Sequence, residues 1–596
     1  MTRLAYNRLL LFVAGLGGLL YGIDVGIIQG ALPYLTATSG FTPGQLSIVV
    51  AAVLLGSVLS TLFAGLLSDL FGRKWLMIVT AVMFCASVPI IALSHGFGEL
   101  VAGRLLQGMS AGFIGVVVPL YLAECLAAKD RGKGTGMFQW LLTFGFVVSS
   151  LITLYLSKGL AAVTNGGTAA QIFAFKDHAW RETFWISLPF GILFVVGGFF
   201  LAESPRWLFR RGEKQAALAA LLRSREPDQA NMELAEMEAT SAAESAKRAS
   251  AGAQMRDSLL RRKYVIPFII ACVILTFNQL TGINSIIPYN TTILLQAGLN
   301  DYWAHFGSLV FSFVNFFVTL IAVILVDRKG RKFLLTLGTG GIVLSMIATG
   351  IIFHRTESAH VDVTSAVQAM VKPDQTASLQ FDQATADKLL ASAAKSSGGL
   401  PQSLTIIYRY GTYATATNTV RSDDKSATPV KIDRSFLPGT QVEAFFTNFN
   451  TSSLQTARAA PLKIDAAFIT PVPSTSNGWL VAVMLYLFMA FYAVGPGVVV
   501  WLAMSELLPT RIRSNGMSIA LVLNQATSTT IAAIFLPTVA RHGYASMFFA
   551  FAGFTLIYFA TAAFFLPETK GKTLEEIEEH FERGGYNAAT AKTTAS

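Results

Sequence analysis

Long apolar runs alternate with short polar connections along this chain, and about twelve of them are long enough to cross ~30 Å of hydrocarbon. They begin near Leu9, Leu46, Trp75, Val101, Gly136, Phe184, Val265, Phe306, Phe333, Gly478, Met517 and Met547. A backbone facing lipid must satisfy its hydrogen bonds internally, so each run predicts a helix. Two polar stretches break the series. In residues 203–262, the segments Lys214 to Leu222 and Met232 to Arg248 are rich in Ala, Leu, Glu and Lys and predict short helices. Residues 355–477 read as a small folded domain. Thr364 to Met370 and Ala384 to Ala394 suit helices, while Ser403 to Val420, Pro429 to Phe436 and Gln441 to Phe449 carry Thr, Tyr, Ile, Phe and Val between turn residues and predict strands.

The polar punctuation repeats. Gly65, Asp69 and Gly72-Arg73-Lys74 return as Asp327-Arg328 and Gly330-Arg331-Lys332, each at the end of an apolar run. Glu124 precedes Arg131 by seven positions, and Glu506 precedes Arg513 at the same spacing. Glu203 and Glu568 each close a further run. The chain is therefore a tandem repeat of a membrane module, a known construction of secondary transporters. Asp69 to Glu124 spans 55 positions but Asp327 to Glu506 spans 179, so about 124 residues have been added to the second copy. The expected organisation is an N-terminal six-helix bundle at 1–202, a linker at 203–262, spans seven to nine at 263–354, an inserted domain at 355–477, spans ten to twelve at 478–567 and a tail at 568–596.

Composition narrows the class. Hydrophobic residues make up 53% of the chain and charged residues 13%, against about 25% charged in soluble domains. The first run continues the repeat pattern through Gly17 and Asp24, which argues against a cleaved signal peptide. Arg3, Arg8, Arg73, Lys74, Lys129, Arg131, Lys133, Arg328 to Lys332, Arg511 and Arg513 all fall on one side of the spans, whereas Gln29 to Gln45 carries no charge. The positive-inside rule makes the former side cytoplasmic, with both termini, and puts the insertion outside. A bacterial inner membrane is the expected location. Topology also accounts for much of the net charge of +10, so no nucleic-acid partner is expected. Cys85, Cys125 and Cys272 lie in or beside apolar runs, leaving none to staple the outer domain. The insertion has one histidine, His360, no cysteine and no nucleophile, metal or phosphate signature, so neither an enzyme nor a cofactor is expected.

Asp24 is the sharpest single residue. An aspartate deep in an apolar span costs roughly 2.5–3.5 kcal/mol on insertion scales, and Arg104, inside the fourth run, is the obvious partner. A carboxylate in such a place can switch its protonation with small movements of its surroundings. The alternative is a permanent ion pair. At the cytoplasmic ends, Asp69 beside Arg73 and Asp327 beside Arg331, with Glu124 and Glu506 in reach of neighbouring arginines, suit a gate whose pairs form in one arrangement and break in the other. Their alternative role is to anchor helix ends.

Five ordered motifs then carry a resemblance: Gly65-Leu-Leu-Ser-Asp69-Leu-Phe-Gly72-Arg73-Lys74, Pro119-Leu-Tyr121-Leu-Ala-Glu124 with Arg131-Gly132, Glu203-Ser204-Pro205-Arg206-Trp207-Leu208, Gln279-Leu-Thr281-Gly282-Ile283-Asn284, and Pro567-Glu568-Thr569-Lys570-Gly571. They resemble the sugar porter family of the major facilitator superfamily over everything except the insertion. The resemblance implies an all-α membrane protein of twelve transmembrane helices in two six-helix bundles related by a pseudo-twofold axis along the membrane normal, with a small β-containing extracytoplasmic insertion between helices 9 and 10. By the same resemblance the substrate site comprises Tyr21, Gln139, Asn278, Gln279, Asn284, Asn315, Trp501 and Asn524. Amides suit sugars because they donate and accept hydrogen bonds without charge, although helix-to-helix bonding is an equal role for any one of them. Asp24 and Arg104 correspond to a proton-coupling pair, and Asp69, Arg73, Glu124, Arg131, Glu203, Asp327, Arg331, Glu506, Arg513 and Glu568 to the cytoplasmic gate.

The implied function is import of a monosaccharide with a proton by alternating access. Facilitative relatives commonly carry a neutral residue where Asp24 stands, and a facilitative uniporter is the alternative; a sugar receptor using the outer domain is a third reading. The expected partners are the sugar, the proton and the lipid bilayer. Departures from the family pattern leave the sugar open among glucose, xylose, galactose and inositol. The paired glutamines are Asn278-Gln279, the tyrosine pair after Asn284 is Pro288-Tyr289, the tryptophan of the eleventh span is Gln525, and Phe146 stands where a proton-coupled member is polar. The insertion, joining two spans of one half, is expected to be an accessory domain that need not hinge the halves.

Overall fold

The computed structural model describes residues 2–126, 131–250, 261–425, 428–448, 454–509, 512–570, 572 and 574–582. Lys129, Arg511, Phe449 and the tail from Arg583 lie outside the described residues. The N-terminal half consists of α1 (Arg3–Ser39), α2 (Pro43–Phe71), α3 (Arg73–Ala92), α4 (Phe97–Cys125), α5 (Arg131–Gly166) and a sixth span in two pieces, α6 (Ala169–Trp185) and α7 (Leu188–Phe200). Local chemistry sets the joints. Thr42 and Gln45 cap α2 reciprocally and Pro43 opens it, satisfying N–H groups that a helix start leaves unpaired. The sixth span breaks where Pro189, near the start of α7, has no N–H for the ladder. The linker forms α8 (Pro205–Arg210), α9 (Lys214–Leu222) and α10 (Pro227–Ser250). Its two expected helices are present, and α8 adds a third.

The second half opens with α11 (Arg262–Leu280) and α12 (Ile283–Gln296), one span interrupted at Thr281-Gly282, followed by α13 (Asp301–Lys329) and α14 (Arg331–Glu357). Four short helices belong to the insertion: α15 (Thr364–Gln368), α16 (Gln383–Ser392), α17 (Gln441–Asn448) and α18 (Leu454–Ala459). The bundle resumes with α19 (Thr475–Tyr492), a π turn at Ala493–Gly497, α20 (Val499–Leu507), α21 (Arg513–Ala560) and α22 (Leu574–Glu582). Among the described residues, 11 helices are long and apolar enough to cross a membrane. One of these runs for 50 residues, about 75 Å if straight and far more than a bilayer requires. It is two spans folded at Gly543, whose φ of +79° a side chain would resist. The Glu357 carboxylate seals that fold by accepting from the N–H of Tyr544 at 2.6 Å. The total is therefore twelve.

The insertion has its own sheet and core. Strands β1 (Val361–Asp362), β2 (Ala377–Leu379), β3 (Gln402–Tyr410), β4 (Tyr413–Ala416), β5 (Val420–Arg421), β6 (Val430–Ile432) and β7 (Leu462–Pro471) form an antiparallel sheet in the order β1-β7-β3-β4, with β5 also on β3, and a separate β2-β6 pair. β3 alternates buried and less buried residues along its length, the period-2 pattern of a half-covered strand. Leu404, Ile406, Tyr408 and Tyr410 pack with Ile464 and Ile469 of β7 and with Phe381 and Leu389. One expectation is corrected. Gln441 to Phe449 is not a strand: its described part is the helix α17, started by Thr440, whose hydroxyl accepts from the Glu443 N–H at 3.1 Å. α17 lies against both α2 and α21 and buries Ala444 in the core of the insertion, packing that outweighs the β-propensity of its phenylalanines and valine. The central strand β7 was not among the expected strands either.

The described contacts between the halves gather at the end of the bundle that carries the insertion. There Tyr34 of α1 donates to Asp301 of α13 at 2.9 Å and its ring stacks on His305, with centroids 5.4 Å apart. Ser150 of α5 meets Ser312 of α13 at 2.8 Å. Ser47 of α2 bonds both Tyr289 and the Leu536 N–H, each at 3.2 Å. Ala51 packs on Ala532 and Ala533, and Val147 on Leu309 and Phe316. The insertion also bridges the halves, although the chain places it within one of them. Asn418 donates to the Phe41 carbonyl at 2.7 Å, Gln45 to Glu443 at 3.1 Å, and Lys176 pairs with Asp424 at 3.2 Å. Arg541 of the other half donates to the Ala414 carbonyl.

Candidate functional site

At the opposite end, the repeated motifs build two equivalent polar clusters. In the first half Arg73, only 2% exposed, reaches Glu124 at 2.9 Å and Asp69 at 2.7 Å and donates to the Ser68 carbonyl at 3.0 Å. Glu203 accepts from the N–H groups of Arg73 and Lys74 at 2.9 and 3.0 Å, capping α3 just after Gly72. Ser204 donates to Glu124. The second half repeats this arrangement except at Asp69, whose counterpart Asp327 has a side chain outside the described residues. Arg331 pairs with Glu506 at 3.0 Å and donates to the Val326 carbonyl at 3.2 Å. Glu568 caps α14 through the N–H groups of Arg331 and Lys332 at 3.0 and 3.1 Å, and Thr569 donates to Glu506 at 2.6 Å. A carboxylate at a helix N-terminus satisfies open N–H groups and complements the dipole. Each of these bonds lies within one half. Arg513 turns back to the Leu508 carbonyl at 3.0 Å, while the side chains of Arg131 and Asp327 lie outside the described residues.

In the first half, Asp24 and Arg104 are both buried to within 1% exposure, yet their closest approach is 3.9 Å. Neither Asp24 oxygen has a hydrogen-bond partner among the described residues. Arg104 instead donates to Gln107 at 2.7 Å, with the Phe184 ring 5.7 Å from its guanidinium carbon. Gln107 is a partner that the sequence signalled only by its place one turn beyond Arg104. A buried carboxylate without donors is costly as an anion, and taking up a proton removes that cost.

Four of the expected sugar ligands come together where the α11–α12 span breaks. Gln279 donates to Asn524 at 3.1 Å and accepts from Asn284 at 2.8 Å. Asn524 anchors the cluster by donating to the Leu275 carbonyl at 2.8 Å. Asn278 lies against the Tyr492 hydroxyl and keeps a buried carbonyl oxygen without a partner among the described residues. Ser528, which accepts from Asn284 at 2.7 Å, and Tyr492 are members that sequence reasoning missed. Ser528 follows Asn524 by four positions, one turn along the same face. The described hydrogen bonds do not join the other four candidates to this cluster. Tyr21 packs against Gly115 of α4, and Asn315 accepts from Thr319 on its own helix at 3.4 Å. Gln139 is exposed on α5, and Trp501 is 41% exposed on α20. Among the described residues no group of His, Cys, Asp and Glu could hold a metal ion.

A family model described as sugar (and other) transporter matches residues 10–371 and 455–581, leaving most of the insertion unmatched. The chain is 25% identical over 578 residues to the glucose transporter GlcP of Staphylococcus epidermidis, covering 96% of this chain and 97% of that protein. It is 27% identical over 579 residues to the human proton myo-inositol cotransporter, covering 96% and 81%, and 26% identical over 586 residues to a Xenopus laevis facilitated glucose transporter, member 12 of its family, covering 96% and 89%. Among solved structures, the partially occluded inward-open xylose transporter XylE of E. coli superposes with a TM-score of 0.61 at 18% identity, covering 94% of this chain and all of that one. Twelve spans in two halves, matching polar clusters in both and a match over most of the chain have one reading: this protein belongs to the sugar porter family of the major facilitator superfamily and is a multi-pass membrane transporter.

Proposed function

We propose that the protein imports a monosaccharide together with a proton by alternating access, with both termini cytoplasmic and the insertion outside. The observation that carries this reading is Asp24, buried at 3.9 Å from Arg104 without a hydrogen bond of its own. A proton on Asp24 frees Arg104 to remain with Gln107, whereas an ionised Asp24 pulls it away, so protonation biases the packing of α1 against α4. The sugar would lie against Gln279, Asn284 and Asn524, whose mutual bonds it exchanges for bonds to its hydroxyls. With the insertion end closed, the opposite end is the open face, and the arginine clusters hold each half rigid while it rocks. Residues 1–202 form one half and 263–354 with 478–567 the other. The Xenopus relative is named for facilitated transport, and uniport is the reading that a coupling test must separate.

The decisive experiment is a panel of glucose, xylose, galactose and inositol in proteoliposomes, with and without a pH gradient. One sugar accumulated only under the gradient is the expected result; equilibration unaffected by the gradient would establish uniport. For the pocket, Gln279→Ala is expected to weaken binding of that sugar by roughly 1–3 kcal/mol, because it removes a sugar partner and takes one bond each from Asn284 and Asn524. Unchanged affinity by calorimetry would move the site elsewhere. Replacing residues 358–474 with a Gly/Ser linker, while keeping Glu357 for the Gly543 fold, is expected to preserve the maximal rate of uptake. It should also raise outward accessibility, since three bonds to the first half disappear with the insertion. Labelling of a cysteine placed at Ser403 from the cytoplasmic side alone would reverse the orientation.

A further inference from the structure

Between the insertion and the closed end of the bundle lies a cavity of about 850 Å³, within the range of small-molecule pockets. Its walls come from the end of α1, the end of α5, the start of α6 and the end of α12, and its roof from the insertion after β4. The floor includes Tyr34 and Asp301, the pair whose hydrogen bond helps close this end. None of Asn278, Gln279, Asn284 and Asn524 lines it, so the cavity is separate from the Gln279 cluster.

We propose that this vestibule is a second, weaker carbohydrate site, an antechamber that holds the sugar above the closed gate. Its chemistry selects a neutral polyol. Asn165, Gln296 and Asn418 supply amides, and Phe41, Phe173 and Tyr302 supply aromatic faces, a combination that matches hydroxyls that donate and accept and the C–H surface between them. The charges on its border nearly cancel, with Lys176, Arg421, Lys425 and Lys431 set against Asp301, Asp423 and Asp424. Most are already engaged: Lys176 with Asp424 at 3.2 Å, Arg421 with Asp423 at 2.8 Å and Asp301 with Tyr34. An ionic ligand would have to break these pairs, whereas a sugar need not. The roof stays in position because Asn418 is tied to the Phe41 carbonyl of the opposite half, so the chamber depends on the insertion bridging the halves.

The inference rests on the proposed sugar substrate, and equilibrium dialysis of radiolabelled D-glucose, D-xylose and myo-inositol against the purified full chain tests it. A transported sugar is expected to show two classes of site per chain. Gln279→Ala should weaken the tight class by about 10- to 100-fold and leave the weak class intact. Ala161→Trp, which fills the chamber from α5, and Ala37→Trp, which fills it from α1, should each abolish the weak class and keep the tight one. Both should lower uptake several-fold at low sugar concentration without changing the maximal rate. A single class of site in the wild type, an unaltered weak class in the tryptophan variants, or loss of both classes together would overturn the antechamber. Failure of all sugars to be taken up would instead sink the substrate reading.

Discussion

Asp24→Asn is expected to abolish accumulation of sugar against its gradient while leaving exchange of labelled for unlabelled sugar across the membrane. Asparagine keeps the size and polarity of a protonated aspartate but cannot give up a proton, so it holds the first half permanently in the protonated arrangement. A gradient of one pH unit is worth about 1.4 kcal/mol per proton, which supports roughly tenfold accumulation at a one-to-one stoichiometry. In the variant that ratio should fall to one. The structure makes the effect specific: Asp24 has no described hydrogen bond to lose, so the substitution should leave the fold intact. Undiminished accumulation by Asp24→Asn under an imposed gradient would end the coupling role of this residue.

Glu124→Ala is expected to destabilise the protein by about 3 kcal/mol, the lower end of what breaking a buried ion pair costs. Arg73 and Glu124 are 2% and 6% exposed and joined by one hydrogen bond at 3.1 Å and an ion-pair contact at 2.9 Å. Removing the carboxylate leaves a buried guanidinium with the exposed Asp69 as its remaining ion-pair partner among the described residues, beside the Ser68 carbonyl. The equivalent change in the second half, Glu506→Ala, should cost less, because Arg331 and Glu506 are 11% and 26% exposed and water can replace the lost partner. Thermal unfolding followed by the loss of monodisperse protein should rank the variants in that order. Equal losses would show that burial does not distinguish the two clusters, however closely their bonds correspond.

The polar clusters also show how far the residues could be interpreted before the fold was seen. The spacing of Glu124 to Arg131 and of Glu506 to Arg513 marked the repeat, and Glu124 and Glu506 were expected to reach arginines of neighbouring helices without either partner being named. The bonds that form join Glu124 to Arg73 and Glu506 to Arg331, across helices. Asp24 and Arg104 were legible as partners because an apolar span offers a charge so few alternatives. The looseness of their contact was not, since it depends on Gln107 competing for the guanidinium. Likewise Gln279, Asn284 and Asn524 were legible through family motifs, while Ser528 and Tyr492 became visible only when α19 and α21 packed against the broken seventh span.

By itself the sequence determined the number of spans, their division into two repeated halves, and the site of the inserted domain. Each of these follows from a local constraint: a run of apolar residues in lipid must be helical and about 20 residues long, and charges are confined to its ends. Only the tertiary structure decided that α17 is a helix, that β7 is the central strand, that the insertion ties the two halves together, and which end of the bundle is closed. A short segment of a water-exposed domain has no such constraint, and its conformation is set by what it packs against. The state of the gate is a property of contacts between halves that are hundreds of residues apart in the chain, and no local pattern records which of two nearly equal arrangements has the lower free energy.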